Sequence, residues 1–209
     1  MKKVGITLRH CPASGYVEPR DGLARDWYRF FESLGLEHNW VLLPNLGDDT
    51  PAYAQAQGVE ALILSGGDDI GRDSLRDTSE HALLAHAIST AWPVLGVCRG
   101  LQLIQLHFGG ELEAAPAGIH AGQRHFISLL SAQDALPWPC ERQQRSVNSY
   151  HSNRLPAPAQ PLQPWAFDEQ GHCEAVVHAD LKIAGVMWHP EREPATSVHD
   201  LQLCRWLFE

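Results

Sequence analysis

Residues 93–103 read PVLGVCRGLQL: an apolar run, a cysteine held between glycines, and a second apolar run. Val94–Val97 has the continuous hydrophobicity of a strand buried on both faces. Leu101–Phe108 carries apolar residues at helical spacing and stops at Gly109–Gly110. The chain must therefore turn from strand to helix at Cys98. The pattern is Gly-x-Cys-x-Gly, with Gly96 and Gly100 as the small neighbours that so sharp a crossing requires. Three expectations follow. The sulfur of Cys98 stands above the C-terminal edge of a sheet, where open α/β folds bind ligands. It sits at a helix N-terminus, whose dipole stabilises an anion. The N–H of Arg99 points to where an oxyanion would form. The alternative is a buried cysteine that happens to precede a helix, and only a partner base would set the two apart.

Outward from this elbow the same alternation recurs. Val4–Leu8, Trp40–Leu43 and Ala61–Leu64 read as further buried strands. Leu23, Trp27, Phe30, Phe31 and Leu34 give Asp21–Leu34 a helical rhythm, closed by Gly35 where a left-handed residue is wanted. Thr78–Ala91 repeats it with Leu83, Leu84, Ala87 and Ile88. After residue 110 the texture changes. Phe126–Leu130, Ser146–Tyr150, Glu174–His178 and Ile183–Trp188 are strand-like with no long helix between them, and a helix over Val198–Phe208 closes the chain. Pro156–Pro164 (PAPAQPLQP) reads as a loop. The expected fold is α/β: a three-layer sandwich with a mostly parallel central sheet and an antiparallel C-terminal extension. At 209 residues, the chain suits a single domain spanning 1–209.

Two other stretches could complete chemistry at the elbow. Gly185–Glu191 reads GVMWHPE: a strand ends in His189, and Glu191 follows two residues later. The intervening proline fixes φ and is expected to keep the segment extended, so that Glu191 orients the imidazole and leaves its other nitrogen for the thiol. Leu64–Ile70 reads LSGGDDI, where Gly66 and Gly67 follow a strand and can turn backbone N–H groups toward a ligand. The amide of Gly67 is then a second oxyanion donor, while Asp68 and Asp69 are read as caps of the next segment. An ordinary strand-to-helix turn is the alternative.

Bulk properties narrow the field. A net charge of −9 would repel phosphate backbones, which argues against nucleic acid as a partner. No window is long and apolar enough to span a bilayer, and Met1–Arg9 lacks a signal-peptide core, so a cytoplasmic location and no membrane partner are expected. Five scattered cysteines without a CxxC pair suit a reducing compartment. Among the twelve histidines, the pairs His81/His86 and His120/His125 are five apart, which misses one helix face. No metal and no cofactor are expected.

GVCRGLQL, LSGGDDI and MWHPE, in this order, resemble the class I glutamine amidotransferase-like hydrolases, in particular the γ-glutamyl hydrolase branch. Further matching stretches are RDTSEHALL (76–84), GGEL (109–112), HAGQRHFI (120–127), VNSYH (147–151) and DEQGHCEAVVH (168–178). The resemblance implies a flavodoxin-like sheet and a Cys98–His189–Glu191 triad. Cys98 would form a γ-glutamyl thioester, with the amides of Gly67 and Arg99 on the oxyanion. It also implies that Gln102 and the segment Asn148, Ser149, Tyr150 and His151 lie along the glutamyl group. The compact N-terminal third (LRH…YVEPRDGLARDWYRFF) is more similar to a short bacterial subgroup acting on γ-glutamyl-CDP-amidate in building surface-polysaccharide phosphoramidate. For such a substrate, Arg9 at the end of the first strand and Arg20 before the first helix are the candidate phosphate ligands, or else two solvated arginines.

The expected activity is hydrolysis of a γ-glutamyl amide bond in a small molecule, releasing glutamate. The alternatives are a glutaminase subunit feeding ammonia to a partner synthetase, and a non-catalytic protein retaining the fold. The leaving amine and the oligomeric state, a homodimer included, stay open.

Overall fold

The computed structural model describes residues 1–115, 121–130, 136–138 and 142–209; His120 and Cys140 lie outside them. The elements in chain order are β1 (Val4–Thr7), β2 (Arg9–His10), β3 (Asp21–Gly22), α1 (Asp26–Ser33), β4 (Trp40–Leu43), α2 (Thr50–Ala56), β5 (Ala61–Leu64), α3 (Ser74–Ser89), β6 (Val94–Val97) and α4 (Arg99–His107). They continue with β7 (Glu113–Ala114), β8 (Ala121–Leu129), β9 (Gln143–Tyr150), β10 (Asn153–Arg154), β11 (Leu162–Asp168), β12 (Cys173–His178), β13 (Ile183–Val186) and α5 (Val198–Phe208).

The main sheet has the order β4-β1-β5-β6-β13-β12-β11-β8-β9. The first five strands are parallel; from β12 onward each pairing is antiparallel. This is a flavodoxin-like α/β fold with the expected extension. Side chains alternate between two buried clusters, as strands covered on both faces require. Ala61 and Ile63 join one with Trp27, Phe31, Leu207 and Phe208, so α1 and α5 cover that face. Leu62 and Leu64 join the other with Ala54, Leu83, Leu84, Leu101 and Ile104, from α2, α3 and α4. Among the described residues, no helix is long and apolar enough to cross a membrane.

Three local readings are corrected. The first helix starts at Asp26 rather than Asp21, because Asp21–Gly22 pairs with Arg9–His10 in a two-stranded ribbon too short to show a period. The proline-rich run does not stay a loop: Leu162–Asp168 pairs on both sides. Pro164 sits where the β11–β12 register shifts, and such a bulge tolerates a residue without an N–H. Asp73, not Asp68 or Asp69, caps α3, accepting the Arg76 N–H at 3.0 Å.

Candidate active site

Close packing forces the elbow. A Cβ on Gly96 would stand 2.7 Å from the backbone of Gly100 and Leu101, and one on Gly185 would meet the Leu101 side chain at 2.6 Å. A Cβ on Gly100 would collide with the Leu64 carbonyl. Only glycines let α4 start this tightly against β5, β6 and β13. Cys98 takes up the turn with φ 52° and ψ −102°, a conformation that costs a non-glycine residue about 1–3 kcal/mol. Its N–H donates to the Val186 carbonyl at 2.7 Å, locking the elbow to the neighbouring strand. Cys98 is 5% exposed and is the N-cap of α4, so the N–H of Arg99 heads a helix whose first donors have no intrahelical acceptor.

His189 arrives from the end of β13, the strand beside β6. Pro190–Arg192 forms a 3-10 turn rather than the extended segment expected, because the fixed φ of proline also suits the first helical position. The turn folds the Glu191 carboxylate back, and Nδ1 of His189 donates to Oε1 at 2.6 Å. The Cys98 thiol lies near enough to the same imidazole to favour its charged form. Burial works against a charged ring, but the nearby Cys98 and the Glu191 carboxylate prevail and raise His189 to about 9. The imidazole therefore holds a proton readily at neutral pH. Cys98, His189 and Glu191 are thus brought together, and all three are buried.

The resemblance places Asn148 along a substrate. Its side chain braces the histidine: Oδ1 accepts the His189 N–H at 2.9 Å and Nδ2 donates to the His189 carbonyl at 2.8 Å. Tyr150, two residues on and so on the same side of β9, sets its ring 5.6 Å from that of His189. Ser149 is buried. His151 is buried as well, facing the Asn153 carbonyl through Nδ1 at 2.9 Å, and desolvation pushes its imidazole down to about 4. Gln102 is buried one turn along α4 from Cys98, with its N–H on the Cys98 carbonyl at 3.1 Å.

Gly66 packs its Cα against the histidine; a Cβ there would lie 2.6 Å from Cε1 of His189. Gly67 has φ 148°, which favours glycine, and a Cβ would strike the Arg76 guanidinium. The loop after Gly67 is tied at both ends. Asp68 pairs with Arg9 at 3.4 Å, and Asp69 accepts from Asn153 at 3.1 Å and Ser152 at 3.3 Å.

Arg9, Trp27, Gly66, His189, Glu191 and Arg192 line a small pocket beside the imidazole. Arg20 does not line it; its guanidinium is held by Glu18 at 2.9 Å and by the Tyr16 hydroxyl. In sequence Trp27 is one of the apolar residues at helical spacing, and nothing there singles out Arg192. The Arg192 guanidinium stacks 4.5 Å over the Tyr150 ring, a contact with no local signature. Among the described residues, no group of three or more His, Cys, Asp or Glu could hold a metal ion.

A cysteine elbow at the carboxyl edge of a mostly parallel sheet, with a buried His–Glu pair from the next strand, defines the class: a glutamine amidotransferase-like hydrolase. Residues 23–191 match the family described as Peptidase C26, and the chain belongs to that family. A γ-glutamyl-CDP-amidate hydrolase of Campylobacter jejuni is 28% identical over 212 residues, covering 98% of this chain and 96% of that protein. A glutamine-hydrolysing GMP synthase component of Methanospirillum hungatei is 29% identical over 151 residues, covering 72% of each. The crystal structure of a glutamine amidotransferase from Thermotoga maritima shares the fold, with a TM-score of 0.62 at 16% identity over 91% of this chain and 77% of that one.

Proposed function

We propose that this protein hydrolyses a γ-glutamyl amide bond through a thioester on Cys98. The observation that carries the reading is the single buried imidazole that bonds Glu191 on one side and whose charge Cys98 supports from nearby. His189 holds the proton given up by the thiol, and the Sγ thiolate attacks the γ-carbonyl carbon. The amides of Gly67 and Arg99 receive the oxyanion. His189 then gives the proton to the departing nitrogen and the C–N bond breaks, leaving the thioester. Water attacks next, its proton passing to His189; the C–S bond breaks and glutamate leaves, restoring the thiolate beside the protonated imidazole. The buried Asn148 brace and Glu191 keep the ring in one orientation throughout.

The substrate reading follows the near full-length similarity to the Campylobacter protein: a γ-glutamyl-CDP-amidate-like compound, or a γ-glutamyl amine. Arg9 and Arg192 beside His189 suit phosphates just beyond the scissile amide, in place of the Arg9 and Arg20 pair expected from sequence. A second reading, a glutaminase subunit serving a synthetase, draws on the similarity to the GMP synthase component of Methanospirillum. One panel separates them: kcat/KM for glutamine, γ-glutamyl-aminobutyrate and a γ-glutamyl nucleotide amidate, in the wild type and in Arg9→Ala. A selective rise in KM for the nucleotide substrate is expected. Glutamine preferred over both other substrates, with equal effects of Arg9→Ala on all three, would transfer the case to the glutaminase reading.

A further inference from the structure

Beneath the elbow lies a charged cluster that the proposed chemistry does not touch. Arg76 of α3 is 2% exposed. Its Nη2 donates to the Ser65 carbonyl at 3.1 Å and the Gly66 carbonyl at 3.0 Å. Nε and Nη2 also reach Oε1 of Glu80, at 3.1 and 3.0 Å. Glu80, fully buried, holds the Thr7 hydroxyl at 2.7 Å and, through its other oxygen, the Arg99 guanidinium, which also pairs with Asp77. One carboxylate therefore joins the arginine that grips the Gly66 carbonyl to Arg99, the residue that follows the nucleophile.

A peptide unit is planar and trans, so its C=O and N–H point in opposite directions. Fixing the Gly66 carbonyl on Arg76 fixes the Gly67 N–H on the opposite face, away from the guanidinium. Gly66 itself packs against His189, so that face belongs to the candidate site. Burying two arginines around the Glu80 carboxylate is costly, and replacement of such clusters by apolar residues is often no less stable. What apolar residues could not do is orient two carbonyls.

We propose that Arg76, yoked to Arg99 by Glu80, is a positioning residue that aims the Gly67 amide at the oxyanion. This rests on the hydrolase reading above. The test compares Arg76→Lys and Arg76→Met with wild type on a γ-glutamyl amide, alongside binding of a γ-glutamyl aldehyde, whose adduct with Cys98 carries a tetrahedral oxygen. Loss of one oxyanion donor lowers kcat about 100-fold. Arg76→Met is expected to lose about that factor in kcat and in aldehyde affinity, with KM and glutamate affinity held within about twofold. Lysine, keeping a charged donor, should recover part of the loss. A folded Arg76→Met enzyme with unchanged kcat and aldehyde affinity overturns the proposal. Should neither variant fold, the aldehyde adduct of the wild type decides by crystallography: its oxygen on the Gly67 N–H upholds the assignment, and an oxygen bonded elsewhere sinks it. A wild type that cleaves none of the γ-glutamyl panel and binds no aldehyde removes the hydrolase reading and the positioning role together.

Discussion

The two halves of the sheet differ in what they give the site. The parallel half, β4 to β13, supplies the groups of the proposed mechanism from the carboxyl ends of its strands: Gly66 and Gly67 after β5, Cys98 after β6 and His189 after β13. The antiparallel half sends in β9, whose Asn148 clamps the His189 backbone and whose Tyr150 flanks its ring. The candidate site lies at the seam, where β13 is parallel to β6 on one side and antiparallel to β12 on the other. In the proposed mechanism one half carries the reacting atoms; the other braces His189.

That division can be broken at its strongest point first. Cys98→Ala should cut glutamate release by ~10⁶-fold, the scale seen when a nucleophile is removed from a unit of this kind. Adding His189→Ala should cost little more in turnover, while Cys98→Ala alone should leave thermal unfolding undiminished. Residual turnover above about 1% of wild type would remove Cys98 from its role. Asn148→Ala probes the holding half. It strips partners from the buried His189 N–H and carbonyl, so a loss of about 1–3 kcal/mol in chemical denaturation is expected, with kcat falling more than KM rises. Unchanged stability would mean the two halves are not coupled there.

The smallest effect is a difference in pH response. His189 is raised to about 9, so its stabilising contribution is full below its unfolded value of ~6.5 and is lost as pH rises through about 9. Asp168, on β11 in the antiparallel half, is buried; burial raises it, but hydrogen bonds from His172 and Gln170 outweigh that and lower it. Its contribution is present above its unfolded value of ~3.9 and fades as pH falls. Glu191→Gln should therefore flatten the alkaline limb of a stability profile and leave the acid limb alone, while Asp168→Asn should do the reverse. Both limbs moving together would contradict this assignment of charges to halves.

The parallel half was legible because its strands are uninterrupted apolar runs: Trp40–Leu43, Ala61–Leu64 and Val94–Val97 have the bounds expected. The antiparallel half was less so. Its strand Leu162–Asp168 opens among prolines and hides its pairing behind a bulge. The Gly-x-Cys-x-Gly and His-Pro-Glu signals were readable since each is local, and the family resemblance made them one site. The Asn148 brace spans 41 residues, and no spacing rule reports such a contact. Arg76 and Glu80 look like an ordinary solvated pair on a helix; only the fold shows that they are buried under the elbow.

The backbone twist at Cys98 has an evolutionary consequence. The residue that would do chemistry occupies the conformation least suited to it, so selection for durability and selection for turnover pull this position in opposite directions. A lineage released from catalysis would gain heat resistance by installing glycine there. Unusual thermal robustness in a homologue with that exchange would then be the mark of a retired enzyme.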